Sequence, residues 1–154
     1  MIEFIYKKET FIIINFFTLY YAIYLRSLHE NKSYNLRFNR GDELIINMTI
    51  IGIIFSIISF IFQNYVFVEI SHIILAFQIF FGGFLYSHHL LSYVFVFTIV
   101  YLLIVRHQYK KCPYYHYFPN VDDDILVTSY KFNNMCFILV LALVFAKKYS
   151  NAEI

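Results

Sequence analysis

The run VFVEISHIILAFQIFFGGFLYSHHLLSYVFVFTIVYLLIVR (66–106) decides the architecture of this chain, because about 40 residues pass without a turn-forming cluster. As one helix rising 1.5 Å per residue it would be about 60 Å long, roughly twice the hydrocarbon thickness of a bilayer. It is therefore either two short spans broken near Gly82-Gly83 or one long helix projecting beyond the membrane. Two adjacent histidines, His88 and His89, sit inside it, and such side chains are expensive in hydrocarbon.

Outward from this run, three further segments are apolar enough to span or nearly so: 10–25, ELIINMTIIGIIFSIISFIFQNY (43–65), and 133–149, the last closed by Lys147-Lys148. The distribution of basic residues arbitrates the central ambiguity, since Lys and Arg collect on the side from which insertion starts. Four helices would put Arg26, Lys32, Arg37, Arg40, Arg106, Lys110, Lys111 and Lys131 on one side. Lys7, Lys8, Lys147 and Lys148 would then lie on the other, a split of eight to four. Five helices would divide the same residues six to six. Gly is common in membrane helices, so the glycine pair does not force a break. The expectation is an all-α, polytopic membrane helix bundle, one domain over 1–154, with four transmembrane helices and an unusually long third (66–106). Its extramembrane loops, 26–42 and 107–132, would share one side.

Composition points the same way. The 154 residues are 60% hydrophobic and only 14% charged, too little polar surface for a soluble domain of this size. A net charge of +2, with no basic-aromatic platform, argues against nucleic acid as a partner. The bias is also unusual: 19 Phe and 15 Tyr stand against 4 Gly, 2 Pro and no Trp. Phe, Tyr, Ile, Asn and Lys are read from AT-rich codons, which points to an AT-rich genome such as a mitochondrial one. The start, MIEFIYKKET, carries Glu3 and Glu9 and no Arg, unlike a transit peptide, and no small-residue cleavage site follows the first apolar run. Cys112 and Cys136 form no CxxC.

The polar residues assemble no active site by spacing. A bis-histidine haem needs ligands from two helices, whereas His72, His88 and His89 all fall on the third segment. His107, Cys112 and His116, with Asp122, Asp123 and Asp124 downstream, match no strong zinc spacing and read as a solvated loop. Glu69 and His72 share a helical face, which a proton relay would need, but Glu69 near the start of its span reads as an interfacial anchor. His88, His89 and Ser92, with Gly82 and Gly83 about two turns before, read as polar and small residues packing against a neighbouring helix or subunit. Arg106, with Lys110 and Lys111 beyond it, suits either a positive-inside anchor or a lipid headgroup site, since the guanidinium fork binds phosphate bidentately.

In four places the sequence resembles the C-terminal four-helix part of cytochrome c oxidase subunit 3. HLLSYVFVFTIVYLLIVR (89–106) aligns without a gap on that family's long penultimate helix, with His89 on the first histidine of a phenylalanine-histidine-glycine-x-histidine motif and Arg106 on its closing arginine. GDELIINMTIIGIIFS (41–56) is similar to the family's glycine-aspartate turn and the helix after it. SLHENK (27–32) and YKFNNMCF (130–137) resemble two shorter runs. Leu90 and Ser92 replace the motif's glycine and second histidine, and the family's tryptophans are gone.

The resemblance implies a non-catalytic multi-pass subunit of the mitochondrial inner membrane that supports a catalytic core and binds phospholipid, with Arg106 near a lipid headgroup. It implies no cofactor in this chain, and haem and copper in partner subunits. The family's first three helices have no counterpart here, so a separate chain would supply them or they are lost. A membrane subunit of complex I or ATP synthase is the competing expectation, with Glu69 then belonging to a proton path. A b-type cytochrome anchor is disfavoured by the histidine positions.

Overall fold

The structure is a computed structural model that describes residues 7–31, 38–109, 117 and 130–150. Among the described residues the elements are all helical, five of them long: α1 Lys8–Glu30, α2 Arg40–Phe62, α3 Tyr65–Leu85, α4 His89–Tyr109 and α5 Tyr130–Ser150. Four of them, α1 to α4, are long and apolar enough to cross a membrane, and α5 carries a shorter apolar stretch, Ile138–Lys147. The protein is a multi-pass membrane protein.

The expected long third helix is not formed. The 66–106 run is two helices, α3 and α4, each of 21 residues or about 32 Å, which is one bilayer thickness and no more. The break falls three residues beyond the glycine pair, at Tyr86–His88, where no Gly or Pro occurs. Tyr86 turns extended (φ −73°, ψ 147°) after its N–H makes the last helical bond to Gly82.

The chain divides into two compact units, Met1–His88 and His89–Ile154. In the first, α1, α2 and α3 pack antiparallel in sequence order. The face of α2 turned inward is mixed: the polar and small residues Asp42, Thr49, Gly52, Ser56 and Ser59 are buried together with Ile45, Ile46, Ile53 and Phe60. Leu44, Ile51, Ile54 and Ile61 are outside. Polar and small residues inside, with large apolar side chains facing out as well as in, is the pattern a lipid solvent allows. Apolar area gives no drive between helices, so small side chains and hydrogen bonds carry the packing.

The contacts form an antiparallel ladder between α2 and α3. Ser71 Oγ donates to the Gly52 carbonyl (2.9 Å), and Gln78 Nε2 donates to Thr49 Oγ1 (2.6 Å) and to the Ile45 carbonyl (3.2 Å). Close approach at its middle requires Gly52, where a Cβ would lie 2.9 Å from Ile74 Cγ2. On the other flank, Asn15 of α1 donates to Ser56 Oγ (3.2 Å). Each such bond is worth about 0.6 kcal/mol in membrane helices, so the set acts more through register than through raw stability.

In the second unit α4 and α5 pack against each other. Leu91, Phe95, Ile99 and Leu102 of α4, and Val140 and Val144 of α5, are buried at helical spacing.

Candidate functional site

Chemistry-bearing side chains concentrate where the C-terminus of α1, the N-terminus of α2 and the C-terminus of α3 meet. The centre is Asp42, fully buried at the third position of α2. Asn39 caps α2, its Oδ1 accepting from the Asp42 N–H (2.8 Å), while Asp42 Oδ2 accepts from the Asn39 N–H (3.0 Å). The two form a reciprocal capping box, which satisfies donors that any helix start leaves open. The same carboxylate accepts from the Ser87 N–H (2.7 Å), the His88 N–H (3.0 Å) and Ser87 Oγ (2.8 Å). Asn39 Nδ2 donates to Ser87 Oγ in turn (2.9 Å).

This arrangement explains the break after α3. The amides of Ser87 and His88 find a carboxylate in place of the carbonyls that a continuing helix would offer. Gly41 admits the chain end: a Cβ there would collide with the Leu85 carbonyl. A carboxylate holding four donors is an organising anchor and is poorly placed to move protons. The negative charge also complements the positive end of the α2 dipole.

Beside Asp42 lies a polar cavity of about 280 Å³, walled by Arg26, His29, Glu30, Phe38, Glu43 and Asn47 among others. His29 Nε2 meets Glu43 Oε1 at 2.8 Å, joining α1 to α2. Arg26 reaches Glu30 (2.8 Å) and Asn47 Oδ1 (3.1 Å). Phe38 contacts two imidazoles, tilted against His29 at 5.4 Å and edge-to-face with His88 at 4.8 Å.

The residues singled out from sequence are spread over the chain. His88 sits in the connector and His89 begins α4, so both stand at helix ends and not in mid-span, because the run breaks between α3 and α4. His88 is held through its backbone by Asp42 and through its ring by Phe38. Gly82 is buried and Gly83 half-buried in the last turn of α3, and Ser92 is buried in α4. Arg106 is buried in the last turn of α4, only 7% exposed. Lys110 and Lys111 lie outside the described residues, as do Cys112, His116 and Asp122–Asp124. Glu69 and His72 are both half-buried on α3.

His72 and His89 are therefore on different helices, which removes the one-helix argument made against haem. Among the described residues no group of three or more His, Cys, Asp or Glu could hold a metal ion.

Asp42 and the Arg26–His29–Glu43 cluster were missed by spacing arguments. The legible signal was NRGD (39–42), an Asn-x-x-Asp variant of the capping box directly before an apolar run. No protein-family model matches the chain, and no curated protein or solved structure matches it either.

Proposed function

We propose that this multi-pass membrane protein is a non-catalytic, subunit 3-like component of a mitochondrial cytochrome c oxidase. It would sit in the inner membrane, pack against the catalytic subunit and bind phospholipid. The observation that carries the reading is the gap-free correspondence of 89–106, together with the glycine-aspartate turn at 41–42. That turn is a working part of this fold, since Gly41 admits the α3 end and Asp42 holds it. The two-helix form of 66–106 departs from the single long helix that the family implies.

The test is the composition of the native assembly. The protein, solubilised mildly from its membrane and run on a native gel, should comigrate with haem a and copper. Comigration with flavin and iron–sulfur centres would replace this reading with the complex I alternative. Within the assembled complex, replacing His88 and His89 with Leu should leave the haem band in place while lowering the yield. A shifted haem band in normally assembled complex would make one of them a ligand. Arg106→Lys should lower the copurifying phospholipid with topology intact, because lysine lacks the bidentate fork. Unchanged lipid would leave Arg106 as an anchor or packing residue.

A further inference from the structure

We propose that the cavity at the α1–α2 end binds an aminoalkyl-phosphate zwitterion, presented as the headgroup of a phosphatidylethanolamine-type lipid. The site is distinct from Arg106, and the inference rests only on the multi-pass architecture, so it survives or fails independently of the respiratory assignment.

Position comes first. Helix α1 is 23 residues, about 35 Å, so its last turn at Arg26–Glu30 lies at headgroup level when the rest spans about 30 Å of hydrocarbon. Tyr20, Ile23 and Tyr24 just below are exposed, an apolar surface for acyl chains.

Charge decides the class of headgroup. Among the described residues the wall holds one permanent cation, Arg26, beside two carboxylates, Glu30 and Glu43, so it offers partners to both ends of a zwitterion. A zwitterion fits. Arg26 spends two of its donors on Glu30 and Asn47, and its guanidinium retains others for a phosphate. Glu30 and Glu43 are each about half-exposed and can accept from an ammonium.

His29 adds an acceptor. Its Nε2 meets Glu43, and its buried Nδ1 has no hydrogen-bond partner among the described residues, so in the neutral form with the proton on Nε2 it offers a lone pair to the headgroup. A volume of about 280 Å³ equals roughly nine waters at ~30 Å³ each, enough room for a compact headgroup.

The experiment is native mass spectrometry of the full-length protein in detergent, titrated with phosphatidylethanolamine, with phosphatidylglycerol, and with soluble phosphoethanolamine as competitor. The expected result is selective retention of phosphatidylethanolamine over phosphatidylglycerol. Arg26→Gln and Glu43→Gln should each lower its occupancy at least roughly fivefold, the loss expected for a charge-assisted bond. Lys8→Gln, at the opposite end of the unit, should leave it unchanged, and circular dichroism should show equal helix content throughout.

Equal retention of the two lipids by the unmodified protein overturns the proposal without recourse to any variant. Unchanged occupancy in both folded cavity variants overturns it too. Soluble phosphoethanolamine binding as tightly as the lipid would overturn the lipid source and leave a site for the free zwitterion.

Discussion

The two ends of the three-helix unit are built on different chemistry. At one end three helix termini converge on Asp42, and polar contacts join residues 39, 42, 87 and 88, with His29–Glu43 alongside. At the other end α2 passes into α3 through two residues only, Gln63 in the left-handed region (φ 49°) and Asn64, whose side chain caps α3 by accepting from the Val66 N–H. Aromatic contacts close that end: Phe11 lies edge-on to Phe60 at 5.5 Å, Phe55 stacks on Phe67 at 5.9 Å, and Lys8 sits over the Phe60 ring. A tight turn satisfies its own backbone locally. An end where the chain arrives from 45 residues away leaves amides that only a distant side chain can satisfy.

If that contrast is right, the largest effect falls on Asp42. Asp42→Ala strands the Ser87 and His88 amides and should cost about 3 kcal/mol. Unfolding in mixed micelles measures the loss, and hydrogen exchange at the two amides locates it. Unchanged protection there would mean that Asp42 does not end α3.

Next comes Gly52→Ala, which drives a methyl into Ile74 Cγ2 and should cost about 1–3 kcal/mol. Combining it with Ile74→Leu, which removes the branch at Cβ, should recover much of that loss. No recovery would place the strain elsewhere.

Gln78→Leu removes two bonds in the middle of the α2–α3 ladder and should cost about 0.6–1.7 kcal/mol by the same unfolding measurement. A larger loss would make the ladder, and not the Asp42 end, the main fastening of the unit.

The smallest effect belongs to the aromatic end. Lys8→Gln should cost about 0.5 kcal/mol or less, since a half-exposed cation over a ring contributes little. A loss comparable to that of Asp42→Ala would erase the difference between the two ends.

Much of the helical plan was legible from apolar runs alone. The expected segments 10–25, 43–65 and 133–149 are found as α1, α2 and α5 with ends shifted by one to five residues. The largest shift is at α1, which carries on through Arg26–Glu30 because polar side chains at headgroup level are no obstacle to a helix. The candidate site was less legible. His88 drew attention as a side chain in an apolar run, yet what binds it is its backbone N–H on Asp42 and its ring on Phe38. Arg26 and Asn47 lie 21 residues apart and His29 and Glu43 lie 14 apart across a connection, and no local pattern announces their meeting.

The sequence by itself determined that the chain is helical and membrane-spanning. Long apolar runs in a bilayer must satisfy every backbone group internally, and a helix does so with neighbours four residues away. The stripe Thr49, Gly52, Ser56 and Ser59, small and hydroxyl side chains at helical spacing, is recognised as part of the packing face of α2 only once the structure shows it buried. What only the tertiary structure decided is where the 66–106 run stops being one helix. FLYSHHL (84–90) contains no residue that forbids a helix, so its local preference does not favour a break. The balance is tipped by Asp42, more than 40 residues earlier, which offers Ser87 and His88 acceptors stronger than the carbonyls they give up, and by Gly41, whose missing Cβ lets the chain come close enough to reach them.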